Sequence, residues 1–483
     1  MMIKVLAVAS EVFPLIKTGG LADVVGALPH ALKAHDVTMR VMVPGYPTVT
    51  AGLVNAQILH RFAELQGGQA TLVAATVRGL DLLVLDAPHL FDRPGNPYAG
   101  PTGADWPDNW RRFAALGFAA AEVGRGKIAA FVPDVVHCHD WQAALAAVYL
   151  RYAGAMAARS IVTIHNLAFQ GNFAAAVFAD LGLPAAAFSL AGVEYYGGVG
   201  FLKGGLQLAD AITTVSPTYA REICTTEGGM GLDGLLRARR EVLTGILNGA
   251  DTDVWDPEND AALTATYNRA RLKLRALNKR AIEDRFGLKP GDGIIFAVVT
   301  RLTWQKGIDI LAASIDTLVA QGARFAILGS GDAALEALLA AAASRHRGEV
   351  SMINGYDEPL SHLLQGGADA IVVPSRFEPC GLTQFYGLRY GCVPLVARVG
   401  GLADSIIDAN DAALSAGVAT GIQFLPVDAA GLEVALLRAL ELHRDGRAWQ
   451  AMQKRGMKSD VSWAKSSRQY ADLYGRLAGK TAA

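Results

Sequence analysis

Pro374–Gly391 reads PSRFEPCGLTQFYGLRYG, and the architecture of the chain follows from it. The short apolar run 370–373 leads into it and a helix-compatible segment, 384–390, leads out, so the stretch spells strand, tight turn, helix start. Glu378 lies in the turn, and Cys380, Gly381, Leu382 and Thr383 stand where the helix must begin. A helix start carries unpaired N–H groups and a partial positive charge, which suits phosphate. A carboxylate beside an anion site is unusual, because like charges repel. It makes sense if it faces an uncharged or cation-like part of the same ligand, such as a sugar. Taken alone, the stretch also fits a surface glutamate followed by a turn-forming glycine.

Outward from there, the strand–turn–helix unit recurs. Strands are expected at 294–299, 324–328, 350–354 and 393–397, separated by helical patterns such as Ile308, Leu311, Ile315 and Leu318. This alternation calls for an α/β fold with a doubly wound parallel sheet. The strand at 294–299 runs into TRLTWQKG, where Arg301 and Lys306 flank a helix start; two cations there make a stronger anion site than either alone. A charged helix is expected over 269–286. The polar loop LNGADTDVWDPEND, 247–260, marks a change of pattern and holds Asn248 and Asp251. The expected domains are therefore 1–246, rejoined by a C-terminal helical segment at 458–483, and 247–457.

The first half repeats the theme. Strand 3–9 leads into SEVFPLIKTGGLADVVGAL, where Lys17, Gly19 and Gly20 precede a helix with Leu21, Val24, Val25 and Leu28 on one face. This strand-to-helix turn is not the GxGxxG dinucleotide fingerprint. Residues 45–110 read as a loop-rich insertion with strands at 70–77 and 81–85; Tyr98, Trp106 and Trp110 there are candidates for stacking on sugar rings or for packing the core. Two further strand ends are polar: HCHDWQ brings His137, His139, Asp140 and Trp141, and IHN brings His165 and Asn166. Ligands of parallel α/β sheets bind outside the carboxyl ends of the strands, so both clusters fall on the ligand rim.

Composition narrows the classes. The 483 residues suit two domains; 52% are hydrophobic and 18% charged, as in globular proteins. Lys plus Arg total 44 against 45 Asp plus Glu, which gives no reason to expect nucleic-acid or acidic-lipid partners. The four cysteines form no CxxC pair and no zinc spacing, so reduced thiols in a cytoplasmic protein are expected. The N-terminus reads as a first strand, not a secretory signal, and no apolar run is long enough to span a membrane.

Taken together, KTGGLADVVGALP, HDWQ, IHN, NGAD, TRLTWQKG and RFEPCGLTQFYGLRYG resemble the bacterial glycogen synthase and plant starch synthase family, over essentially the whole chain. The resemblance implies a retaining glucosyltransferase of GT-B architecture, two Rossmann-like domains facing across a cleft. It would move glucose from ADP-glucose to the non-reducing 4-OH of an α-1,4-glucan, either glycogen or a malto-oligosaccharide. By resemblance, Arg301 and Lys306 match a phosphate-binding pair, Gly381, Leu382 and Thr383 a backbone cradle, and Tyr356 the residue packing on adenine. Lys17, Gly19 and Gly20 match a loop closing over the donor. His165 matches the residue near the anomeric centre, and Asp140, Asn166, Asn248 and Glu378 a polar ring around glucose. Tyr98 and Trp141 are the acceptor candidates. Where many wider relatives have a second glutamate, this chain has Tyr386, which is given no acid role.

Cleaving a nucleotide sugar needs cations and N–H donors around the departing diphosphate, and Arg301, Lys306 and the Gly381 turn would supply them. No metal or other cofactor is therefore expected, and no DxD-type triplet suits a metal–diphosphate bridge. No β-face nucleophile for double displacement is evident, so same-face attack is the expectation. The alternatives are a related transferase using UDP-glucose or another acceptor, a glucan phosphorylase-like enzyme, and a non-catalytic glucan-binding module.

Overall fold

The computed structural model describes residues 2–154 and 158–480. The chain divides into two compact units: Met1–Asn248 with Trp463–Ala483, and Gly249–Ser462.

In the first unit the strands are β1 (Ile3–Val8), β2 (Val37–Pro44), β3 (Gln57–Phe62), β4 (Ala70–Val77), β5 (Leu80–Asp86), β6 (Val135–His139) and β7 (Arg159–Ile164). β8 (Asn172–Phe173), β9 (Glu194–Tyr195), β10 (Gly198–Gly200), β11 (Ala211–Thr214) and β12 (Leu243–Gly245) complete it. Nine form one sheet in the order β12-β11-β7-β6-β1-β2-β5-β4-β3, while β8, β10 and β9 make a small sheet of their own. Only the β3–β4 and β4–β5 pairings in the large sheet are antiparallel. From β1 the chain winds to β2 on one side and later to β6 on the other. The winding reverses between β1 and β6, and in such sheets the reversal opens a crevice beyond the strand ends. The segment after β1 carries Lys17–Gly20, and the residue closing β6 is followed at once by Asp140.

The region expected as a loop-rich insertion instead extends the large sheet. β5 pairs in parallel with β2, and β4 and β3 continue from it. QILHRF hid its strand because a register shift between Ile58 and His60 breaks its alternation and most of its side chains are exposed or half-buried. The terminal helix, Ala464–Ala478, packs on this first unit. Tyr470 and Tyr474 are fully buried in its core, and Lys480 pairs with Asp134 at 2.8 Å.

The second unit contains β13 (Ile295–Val299), β14 (Arg324–Gly329), β15 (Val350–Asn354), β16 (Ala370–Val373), β17 (Val393–Ala397) and β18 (Ile422–Phe424), all parallel, in the order β15-β14-β13-β16-β17-β18. Alternate residues feed two apolar layers, which is why these strands read as continuous hydrophobic runs. Phe296, Val298, Phe325, Ile327 and Leu395 pack on one face, and Ile295, Ala297, Ala326, Leu328 and Ile371 on the other. Each Leu, Ile or Phe so buried is worth about 1.5–3 kcal/mol relative to exposure. The helix expected over 269–286 breaks at Arg271: Asn268 caps a short 3-10 turn, and the α-helix proper is Arg275–Phe286. Winding reverses between β13 and β16, and the two loops at that point are TRLTWQKG and PSRFEPCG.

Candidate active site

At the second unit's reversal the two loops are locked together. Gly307 has φ +66, and a β-carbon there would lie 2.0 Å from the Pro374 carbonyl oxygen, so only glycine lets the loops approach. Gln305 donates its side-chain amide to the Phe377 carbonyl at 3.2 Å, and its own carbonyl accepts from the Arg376 N–H at 2.8 Å. Arg376 grips Asp309 with both terminal nitrogens, 2.7 and 2.6 Å, and lies over the Trp304 ring. This clamp sets Lys306 Nζ 2.5 Å from Glu378 Oε2, with the two side chains 17% and 9% exposed. Ser375 Oγ donates to the same carboxylate oxygen at 2.8 Å. The like-charge difficulty posed by a carboxylate beside an anion site is thereby met: a lysine stands against the carboxylate.

The turn beyond is built for N–H exposure. Gly381 has φ +72, the helix Thr383–Tyr390 begins after Leu382, and no side chain caps it. Gln384 donates to the carbonyls of Cys380 and Gly381 at 3.0 Å, and Cys380 itself is buried, so the turn is fixed from below. Gly401 donates its N–H to the Glu378 carbonyl at 3.1 Å. A β-carbon on Gly400 would sit 2.0 Å from that same oxygen. Arg301, just past β13, is exposed, as is Tyr356, just past β15. Sequence reasoning missed Ser375, Arg376 and the Gly400–Gly401 floor. The signal for the last was the second copy of GGLAD, at 400–404, echoing 19–23.

At the first unit's reversal, Lys17 pairs with Asp23 at 2.9 Å, and the helix Gly20–Leu32 starts after Gly19 with no side-chain cap. A β-carbon on Gly19 would meet nothing within 4 Å, leaving open space at those N–H groups. The buried Glu11 carboxylate holds this loop: it accepts from the Thr18 N–H, from Thr18 Oγ1 at 2.6 Å and from the Tyr98 hydroxyl. Glu11 was not singled out from sequence; an acid directly after a buried strand and ahead of a glycine pair was the available signal.

Asp140 joins two strand ends. Its Oδ1 accepts the N–H of His165 at 2.7 Å and that of Asn166 at 3.4 Å, from a backbone at φ +56. Burial pushes its carboxyl up to about 7, against those donors. Behind it stands a column of imidazoles. His137 bonds Tyr474 at 2.8 Å and Thr163 at 2.5 Å, and His139 Nδ1 lies 2.9 Å from His165 Nε2. Burial drives His137 and His165 down to about 3 and His139 well below its usual range, so all three are neutral. His139 Nε2 is buried without a hydrogen-bond partner among the described residues. A stranded N–H costs more than a stranded lone pair, which favours the tautomer in which His139 Nδ1–H donates to His165 Nε2. His165 then keeps a proton on Nδ1 to offer elsewhere. Asn248 is also buried, its Oδ1 unpaired among the described residues.

Two sequence expectations fail here. Trp141 is a core residue, not a sugar platform: it is 8% exposed and packs against Phe113, Phe173 and Phe201. Tyr98 has its hydroxyl committed to Glu11 and, at 2.8 Å, to Ser10, with its ring beside Phe113. It braces the Lys17 loop and does not stand free for an acceptor. Trp110 likewise packs against the core. Among the described residues no group of three or more His, Cys, Asp or Glu could hold a metal ion.

The starch synthase catalytic domain family matches residues 4–238, and the glycosyl transferases group 1 family matches residues 279–452. A glycogen synthase of Mesorhizobium japonicum is 59% identical over 480 residues, covering 99% of this chain and 100% of its own. Glycogen synthase 1 of Rhizobium meliloti is 60% identical over 477 residues, 99% of both chains. Among solved structures, the catalytic domain of starch synthase IV from Arabidopsis thaliana, bound to ADP and acarbose, is similar at TM-score 0.90 and 31% identity, covering 99% of this chain and 100% of that one. Sucrose-phosphate synthase from Thermosynechococcus elongatus, at TM-score 0.59 and 18% identity over 98% of this chain and 99% of that one, shares the fold. With both units matched and full-length relatives this similar, the chain belongs to the glycogen synthase and starch synthase family of GT-B glycosyltransferases.

Proposed function

We propose that this glycosyltransferase elongates an α-1,4-glucan in the cytoplasm, transferring glucose from ADP-glucose to the non-reducing 4-OH with retention and without a metal or other cofactor. The observation that carries the reading is the Lys306–Glu378 pair beside the uncapped Gly381–Thr383 helix start at a winding reversal. The starch synthase IV domain, 31% identical, was solved with ADP and acarbose, a combination of nucleotide and sugar mimic that fits this reading.

In the proposed reaction the diphosphate rests on the N–H groups of Gly381, Leu382 and Thr383, with Arg301 and Lys306 meeting the charge that grows as the bond to C1 breaks. Lys306, held by Glu378, and the turn held by Gln384 are fixed before reaction, so little reorganisation is needed there. Tyr356 packs on adenine. Glu378, its charge held by Lys306 and Ser375, lies against glucose and favours a ring gaining positive character. The acceptor 4-OH attacks C1 from the face the phosphate leaves, and its proton passes to the departing phosphate oxygen, giving ADP and a new α-glycosidic bond. Asp140, Asn166 and Asn248 supply hydroxyl-binding groups. His165, neutral and protonated on Nδ1, is a donor suited to a sugar hydroxyl that adds no charge. Lys17, Gly19 and Gly20 offer a cation and open N–H groups suited to an anionic ligand.

The test is ADP-glucose and UDP-glucose in parallel with glycogen, reading nucleotide diphosphate release and the anomeric configuration of the new linkage by NMR. ADP release with α-linked product supports the reading; UDP preference, a β-linkage, or no release from either sugar overturns it.

A further inference from the structure

With Tyr98 and Trp141 committed to the protein interior, the chain has no acceptor platform where sequence placed one. The structure offers another. β9 and β10 are joined by a two-residue turn, Tyr196–Gly197, with φ +50 and +79. Both central residues are left-handed, the turn geometry that favours Asn-Gly or Gly-Gly. A tyrosine at its first position is strained. It is also 85% exposed, so no burial offsets that strain. Tyr195 meets it edge to face, ring centroids 4.7 Å apart.

A second strained apolar residue lies alongside. Met230 has φ +47 and is 37% exposed. Its neighbour Gly231, φ +86, abuts both tyrosines: a β-carbon there would stand 2.7 Å from Tyr195 Oη and 3.9 Å from the Tyr196 ring. Gln170 ties the patch to the His165 loop, donating to the Leu167 carbonyl at 3.3 Å and to the Met230 carbonyl at 3.0 Å. Phe169, 51% exposed, immediately precedes Gln170 in the chain and is no more than about 14 Å of extended chain from His165. Asn172 lies at its edge, its Oδ1 and the Tyr195 Cβ both close to Gly200, and supplies polar groups.

We propose that Phe169, Tyr195, Tyr196 and Met230 form a platform on which the glucan acceptor chain lies. The inference rests on the glucan reading above and names the residues that hold that substrate. A glucan presents apolar pyranose faces rimmed by hydroxyls, which matches exposed aromatic rings edged by amides and contiguous with the loop bearing His165. Backbone strain kept at an exposed aromatic turn fits a ring held ready for a ligand.

Tyr196→Gly is the decisive variant, because glycine adopts this turn without strain and folding is not at risk. The thermal midpoint should hold or rise, while the KM for glycogen and the Kd for maltoheptaose, measured without nucleotide, rise about three- to tenfold. The KM for ADP-glucose should not move, and Tyr196→Phe should restore glucan affinity. Unchanged maltoheptaose binding in Tyr196→Gly overturns the platform. So does a change in sedimentation with unchanged glucan affinity, which would make the patch a surface for a second copy of the chain. If the wild type releases no nucleotide yet binds maltoheptaose through Tyr196, the transferase reading fails and the platform stands.

Discussion

Removing Lys306 should do two separable things. In Lys306→Ala the Glu378 carboxylate, 9% exposed, keeps only the Ser375 hydroxyl at 2.8 Å. Breaking a buried pair by deleting one partner costs about 3–5 kcal/mol, mostly the penalty of the stranded charge. Lys306 is 17% exposed, so a value at the lower end, about 3 kcal/mol, is expected for the second unit. Glu378→Gln should cost less, about 1–2 kcal/mol, since the amide oxygen still accepts from Ser375 and Lys306. The double variant carries no buried unpaired charge and should be at least as stable as Lys306→Ala, giving a coupling of about 1 kcal/mol or more. Urea unfolding read by two probes, fitted with one transition per unit, measures this. Turnover should behave differently: Lys306→Ala falls about 10²–10³-fold in ADP release, and the double variant does not recover it. Stability changes additive within about 0.5 kcal/mol would refute the pairing. Restored turnover in the double variant would refute the role of Lys306 at the leaving group.

Gly307→Ala puts a β-carbon into the Pro374 carbonyl at a left-handed φ, so the two loops must part. Turnover should drop by about 10²-fold, the scale of a displacement of about 1 Å, and a kinetic comparison with Gly322→Ala, also left-handed but with nothing within 4 Å, isolates the loop contact. Asp140, with its folded-state carboxyl at about 7, is held proton-bound where an unfolded aspartate has ionised. Its contribution is therefore present below about pH 4 and lost as pH rises to about 7, so Asp140→Asn should gain stability over wild type across that window, on the order of 4 kcal/mol at most. His137, His139 and His165 have the opposite sign. Their depressed values mean stability present above about pH 6.5 and lost as pH falls toward 3, visible as a thermal midpoint of the first unit that drops between pH 7 and 5. Tyr356→Ala should raise the KM for ADP-glucose about tenfold and leave the KM for glycogen in place.

Much of this was legible in the chain because the parallel strands are buried on both faces. Ile295–Val299 and Val393–Ala397 read as apolar runs for that reason, and Gly19–Gly20 and Gly381 marked helix starts. β3 was not legible, being an edge strand with exposed residues and a register shift. The site divided along the same line. Glu378, Lys306 and Gly381 stand in turns whose residue types announce chemistry. The groups that aim them, Ser375, Arg376 and Glu11, come together only through pairings distant in sequence, or look like ordinary loop residues. Trp141 misled because an aromatic after a strand end suits a sugar platform and a core alike; only the three phenylalanines around it decide. The terminal helix announced its apolar face, but nothing in the sequence linked Tyr474 to His137, which lies 337 positions earlier.

The proposed chemistry has Arg301, Lys306 and backbone N–H groups of the second unit carry the departing diphosphate without a metal. Its most direct test is ADP release from ADP-glucose with glycogen in excess chelator, for wild type and Arg301→Ala. Wild-type turnover should be full in chelator, and the variant should lose about two orders of magnitude or more. Turnover abolished by chelator, or an Arg301→Ala enzyme running at the wild-type rate, would contradict it.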